Sequence, residues 1–265
     1  MGSATREALA SSKDALAALG AGADLATADG LFAAGRAIGN STHLSAALSD
    51  PAAEGGTKSA VVDRIFGSQL GAPALGLLKT VVSSRWSSEN DLLAGIEEIG
   101  LRAASISAGA QGDIEAELFE FGNVVSSNNE LELALSSKLG SAEAKAALVA
   151  SLLAGKGSPE TVSIVSQLVQ QPRGRRIGEL LRYAASIVAD QQGLAVATVT
   201  SASPVAAAQL QRLERYLATS TGRKVKINQV IDPAVVGGIR VQVGDDVIDG
   251  SLAARINDLR LKLAS

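Results

Sequence analysis

"LFAAGRAIGNSTHLSAALSD" at residues 31–50 and "LFEFGNVVSSNNELELALSS" at residues 118–137 agree at seven of twenty positions. At the same offset Lys58 meets Lys145, Ala60 meets Ala147 and Val62 meets Val149; one deletion later Pro73 meets Pro159. A register kept over such a distance is the mark of an internal repeat. Residues 25 to about 108 and 112 to about 191 therefore read as two copies of one four-helix unit. Two accounts fit this pattern: an ancestral duplication, or Leu/Ala-rich amphipathic helices that align because their apolar stripes are alike.

Around this repeat the hydrophobic period is helical. "ATREALASSKDALAALGAGAD" places Leu9, Leu16 and Leu19 on one face and ends in a Gly-Ala-Gly breaker. One long helix is expected from Leu25 to Leu48, closed by Asp50-Pro51, then helices near Lys58 to Phe66 and Ala74 to Ser83. "SSENDLLAGIEEIGLRAASI" supplies another, with Ser88 or Asn90 as cap and acids in the first turn opposing the helix dipole. The second copy shows no obvious counterpart of the first helix, Ala4 to Leu19.

After Gln192-Gly193 the period becomes alternating. "LAVATVTSA" predicts a strand, and Ser203-Pro204 a helix start whose stripe is Ala206, Leu210, Leu213 and Leu217. "RKVKINQVID" and "GIRVQVG" alternate as two further strands, and Leu252, Ile256, Leu259 and Leu263 mark a closing helix. The expected fold is mainly α with a small α/β C-terminal module, a helical bundle followed by a short mixed sheet with two helices. Its expected divisions are residues 1–110, the first helical copy; 111–192, the second; and 193–265, the module.

Composition narrows function. The formal charge is −3, from 24 basic and 27 acidic side chains that are interspersed, so no strong field gathers phosphate backbones or anionic lipid. Aromatics are only 3%, which disfavours an aromatic-lined pocket for bases or flat cofactors. With no cysteine there is no disulfide, thiolate nucleophile or thiolate metal site. The start lacks an apolar core behind a basic head, and the longest charge-free run, Gln191 to Gln211, is polar and contains Pro204. These features predict a soluble cytoplasmic chain that can sit on a membrane complex.

Candidate chemistry is sparse. His43 is the only histidine, so a His-based relay or metal cluster has nothing to recruit. "AGKGSPET" lacks the first glycine and the terminal Ser/Thr of a phosphate loop, and reads as a helix end followed by a capped start. Arg173, Arg175, Arg176 and Arg182 read as a solvated basic loop, with a nucleic-acid footprint, joined by Arg223 to Lys226, as the alternative. "DDVIDGS" at 245–251 offers Asp245, Asp246 and Asp249 to a metal-dependent enzyme reading. Its better explanation is a tight turn at Gly244-Asp245, a short strand at Val247-Ile248, and Asp249 and Ser251 capping the last helix. Neither a catalytic residue, a metal ligand nor a cofactor site is expected.

"GRKVKINQVIDPAVVGGIRVQVGDDVIDGSLAARINDLRLKL", residues 222–263, resembles the C-terminal signature of the delta subunit of rotary ATP synthases, the oligomycin-sensitivity-conferring protein family. The carrying positions are Lys224-Val225, Ile231-Asp232, Val235, Gly238, Gly244-Asp245, Val247 to Ser251, Arg255, Ile256 and Leu259. Ordinary members have one helical unit; the doubled unit resembles the long actinobacterial form. The resemblance implies a non-catalytic stator of the proton-translocating ATP synthase, peripheral at the cytoplasmic face of the cell membrane. Its helical domain would grip N-terminal helices of the alpha subunits and its C-terminal module the end of the b stalk, with no nucleic-acid partner and no insertion into the bilayer. By analogy with the family's first and fifth helices, the head-facing groove is expected at Leu9, Leu16, Leu19, Leu77 and Val81. The b contact is expected at Ile248, Leu252, Ile256 and Leu259.

Overall fold

The computed structural model describes residues 2–109, 112–137, 140–235, 237–244 and 246–250. The chain divides into two compact units, Met1–Val188 and Ala189–Ser265. Both repeat copies therefore lie in the first unit, where one hydrophobic cluster runs from Ala8 to Val188.

The first unit opens with α1 (Ser3–Leu19), which buries Thr5, Ala8, Leu9, Ser12 and Leu16 and stops at Gly20, φ 50°, in a short 3-10 turn. α2 (Leu25–Gly39) is capped by Asp24, whose carboxylate accepts the Thr27 N–H at 2.8 Å and hydroxyl at 2.7 Å. The single helix expected over 25–48 is instead two, because Ser41 leaves helical geometry at φ −120° and its Oγ accepts the Leu44 N–H to start α3 (Thr42–Ser49). α4 (Gly55–Phe66), α5 (Ala72–Ser83) and α6 (Glu89–Ala108) complete the first copy, and of the two expected caps for α6, Ser88 and Asn90, it is Ser88 that accepts the Asp91 N–H. α7 (Ile114–Ser126), α8 (Asn129–Ser136), α9 (Ala142–Leu153), α10 (Pro159–Gln170) and α11 (Ile177–Gln191) follow.

The repeat reappears in three dimensions. α3 and α8, α4 and α9, and α5 and α10 start and end 87 positions apart without exception, and α2 and α7 end 87 apart. Cap geometry repeats with them: Asn40 (φ −83°, ψ −6°) matches Ser127 (φ −86°, ψ −6°), and Ser41 (φ −120°, ψ 100°) matches Asn128 (φ −131°, ψ 97°). Buried partners coincide as well, including Leu31 with Leu118, Leu48 with Leu135, Val62 with Val149 and the charged pair Lys58 with Lys145. Each copy contributes five helices rather than four.

At the same offset α1 falls on residues 90–106, inside α6. The buried face of α1, Thr5, Ala8, Leu9, Ser12 and Leu16, maps onto Leu92, Gly95, Ile96, Ile99 and Ala103, all buried. α1 packs on α5, and α6 packs likewise on α10. The missing counterpart of the first helix is thus α6 itself, last helix of one copy and first of the next. A helix used on both sides has no wet face, and every residue from Gly95 to Ser105 is buried. Gly100 is required there, since a Cβ would sit 2.5 Å from Phe32 Cε1 of α2.

In the second unit β1 (Leu194–Ser201) lies parallel to β2 (Lys224–Ile231) and antiparallel to β3 (Ile239–Val243), which pairs antiparallel with β4 (Asp246–Asp249), giving the order β2-β1-β3-β4. α12 (Ala207–Thr221) connects β1 to β2 and lays Leu210, Leu213 and Leu217 against Ala197, Val199, Val225 and Val241. It starts after the predicted Ser203-Pro204: the Ser201 hydroxyl donates to the Ser203 carbonyl at 2.8 Å, and residues 202–206 form the connection. Gly222 (φ 68°) closes α12 in left-handed geometry, and Gly244 (φ 58°) supplies the turn expected before β4. The expected closing helix, with Ser251, Leu252, Ile256, Leu259 and Leu263, lies outside the described residues, as does Asp245.

Candidate functional site: a polar depression and an ion-paired helix junction

α1 and α5 share an interface, and the residues expected to face a partner there are turned inward. Leu9, Leu16, Leu77 and Val81 are buried in the core, and Leu19 is half-buried against it. These side chains are used in joining α1 to the bundle, so they form the floor of any groove and not its lining. What reaches the surface is polar: Ser11 of α1, Ser59 of α4, and Lys79, Thr80, Ser83 and Ser84 at the end of α5 line a shallow depression of about 360 Å³. Ser59 and Ser83 hydroxyls bond each other at 2.8 Å, the Ser84 hydroxyl donates to the Thr80 carbonyl, and Lys79 pairs with Asp63 at 2.7 Å.

The α10–α11 loop holds the residues that sequence reading placed wrongly. Arg173, at φ 48°, and Arg175 donate to the buried Glu97 carboxylate at 2.6 and 2.7 Å, instead of lying solvated. Adjacent Glu98 accepts from Arg102 at 2.8 Å and from Lys13 at 3.2 Å, and the Tyr183 hydroxyl reaches it at 3.4 Å. Arg175 also stacks 5.3 Å from the Tyr183 ring centre. Burial is the main force pulling the Arg173 pKa down, opposed by Glu97; burial likewise pushes the Tyr183 phenol up, reinforced by Glu98 and Glu97. Two arginines committed to a buried carboxylate are withdrawn from any phosphate-binding role. The overlooked signal was "EE" at 97–98 inside an apolar helix, where charge must find partners.

The acidic stretch before the C-terminus is architectural where it is described. Asp249 is directly opposite Arg240 in the β3–β4 register and accepts its Nη2 at 3.1 Å. Val247 and Ile248 of β4 are more than half exposed, at 55% and 57%. Ile248 pairs with Val241, whose face α12 covers, so the apolar face of the sheet continues past that helix. His43 is exposed on α3, and Gly155 (φ 70°) with the Ser158 cap forms the helix end and restart expected in "AGKGSPET". Among the described residues no three His, Cys, Asp or Glu side chains converge to hold a metal ion.

The model of the ATP synthase delta (OSCP) subunit family matches residues 101–263, from within α6 to the C-terminal stretch. The match thus takes in the second helical copy and the α/β module. An ATP synthase subunit delta of Leifsonia xyli subsp. xyli is 54% identical over 264 residues, covering 100% of both chains. That of Streptomyces avermitilis is 41% identical over 268 residues, 99% of this chain and 98% of its own. A chain of the Toxoplasma gondii mitochondrial ATP synthase hexamer is 20% identical, covering 62% of this chain and 96% of that one, with a TM-score of 0.39. The relatives match from end to end, so the additional copy is shared with them and is not a fusion peculiar to this sequence. The chain belongs to the ATP synthase delta (OSCP) subunit family.

Proposed function

We propose that this chain is a non-catalytic stator subunit of the peripheral stalk of a proton-translocating ATP synthase. Its helical body holds the catalytic head through N-terminal helices of the alpha subunits, and its C-terminal module holds the end of the membrane-anchored b subunit. The observation that carries this reading is the end-to-end identity of 54% to a protein named as the delta subunit. Rotation in the membrane makes ATP only if the head is kept from turning with the rotor, and that task requires strong contacts and no catalytic groups. The two candidate surfaces suit it: a polar depression over an apolar floor between α1 and α5, and exposed Ile248 on β4, followed in the sequence by Leu252, Ile256 and Leu259. Among the described residues no helix is long and apolar enough to cross a membrane, in keeping with a subunit peripheral to the cytoplasmic face.

Reconstitution tests this directly. Added to membranes stripped of their delta subunit and to the matching catalytic head, the chain should restore proton-coupled ATP synthesis and co-elute stoichiometrically with the head. Restored head binding without coupling would remove the b-stalk half of the reading; no head binding would remove all of it.

A further inference from the structure

The 87-residue offset allows one copy to be laid on the other and the fate of each face compared. The depression on the first copy is lined on α5 by Lys79, Thr80, Ser83 and Ser84. Their equivalents in the second copy are Ser166, Gln167, Gln170 and Gln171, at the end of α10. There α2 engages Gln167 and Gln171. The Arg36 guanidinium of α2 donates to the Gln167 carboxamide, and Gln167 Nε2 donates to Gln171 Oε1 at 3.1 Å. Gln171 Nε2 donates to the Gly35 carbonyl at 3.1 Å. One turn earlier on α10, the Ser163 hydroxyl bonds Asp29. Three positions of α2, Asp29, Gly35 and Arg36, are thus keyed into α10 and its C-cap. Gly39 continues the close approach, since a Cβ there would land on the Gln171 amide nitrogen. The effect on exposure is direct: Thr80 is half-buried, whereas Gln167 is 1% exposed.

We propose that the helix-receiving face of the second copy is permanently occupied by the chain's own α2, so that one partner helix, not two, seats on each chain, on the open α1/α5 face. This rests on the stalk reading above and assigns its head contact to the first copy. α2 cannot vacate its seat, because its other side carries Leu31, Phe32, Ala34 and Ile38 in the core against α6. The occupant of the filled face shows what the open one is shaped for: a helix with small residues at the point of closest approach and hydrogen-bonding side chains for Ser11, Thr80, Ser83 and Ser84. A second copy of this chain is a poor candidate. The α7 positions equivalent to Asp29 and Arg36 are Ala116 and Asn123, which lack the carboxylate and the guanidinium.

The test is titration calorimetry of the full chain with a synthetic peptide of the alpha subunit's N-terminal segment. One peptide should bind per chain. Ser83→Trp, at an exposed position, should weaken binding at least tenfold with unchanged thermal unfolding, while Gln170→Trp in the second copy should leave affinity within about twofold. Two peptides per chain, or loss on Gln170→Trp without loss on Ser83→Trp, would overturn the inference and leave the stalk reading standing. Self-association of the chain that Ser83→Trp abolishes would place a second copy in the depression and also overturn it. No binding to either peptide or intact head would bring down the stalk reading, and the inference with it.

Discussion

Arg173 Nη2 donates to Glu97 Oε1 at 2.6 Å, across 76 positions of sequence, from a backbone held at φ 48°. Such a conformation is costly for a side chain with a Cβ, and it persists because the ion pair and the turn at Gly174 (φ 78°) define it together. Glu97→Ala should therefore strand Arg173 in a largely buried site and destabilise the first unit by about 3 kcal/mol, the lower end for a broken buried pair since Arg175 is partly exposed. Urea unfolding would measure this, and the double variant Glu97→Ala/Arg173→Ala should lose less than the sum of the single losses.

The Tyr183 phenol should report the same junction. Its pKa is raised above the ordinary 10.0 in the folded state, first by burial and then by Glu98 and Glu97. The folded protein thus keeps its proton where the unfolded chain releases it, so this contribution is fully present below pH 10 and is lost as the pH rises beyond. Stability measured from pH 9 to 11.5 should fall above pH 10, and Tyr183→Phe should flatten that fall.

Gly100→Ala places a methyl against the Phe32 ring. Helix propensity alone favours the change by about 1 kcal/mol, but overpacking a closed core costs about 1–3 kcal/mol. The expected outcome is a net loss of roughly 1 kcal/mol, restored when Phe32→Leu is added. A gain in melting temperature for Gly100→Ala alone would contradict the packing described between α2 and α6.

On β4, Ile248→Asp should abolish binding of the b subunit's C-terminal segment while leaving unfolding within about 0.5 kcal/mol, because the side chain is 57% exposed. Val241→Asp, its buried cross-strand partner, should instead unfold the module. Circular dichroism with pull-down on immobilised b segment separates the two effects.

Periodicity and caps made most of this fold legible. The four strands, helices α4 to α6, the stripe of α12 and the restart at Ser158 follow from apolar spacing and the short polar residues that start helices. The break at Ser41 was hidden because the stripe of α2 continues in phase into α3, so only the cap geometry separates them. The faces were harder to read. An apolar stripe at Leu9, Leu16, Leu77 and Val81 marks burial without saying whether its partner belongs to the same chain, and here it does. Nothing in the spelling of Arg173 and Arg175 distinguishes a solvated loop from a clamp on Glu97; that depends on contacts between elements far apart in sequence.

Because α6 closes one bundle and opens the next, the repeat length is one helix shorter than the structure it adds. An in-frame gain or loss of 87 codons between equivalent points would lengthen or shorten the body by a complete bundle without leaving a loose helix behind. Growth of this kind has no capping problem: every member of the series begins on an α1-type helix and ends on an α11-type one.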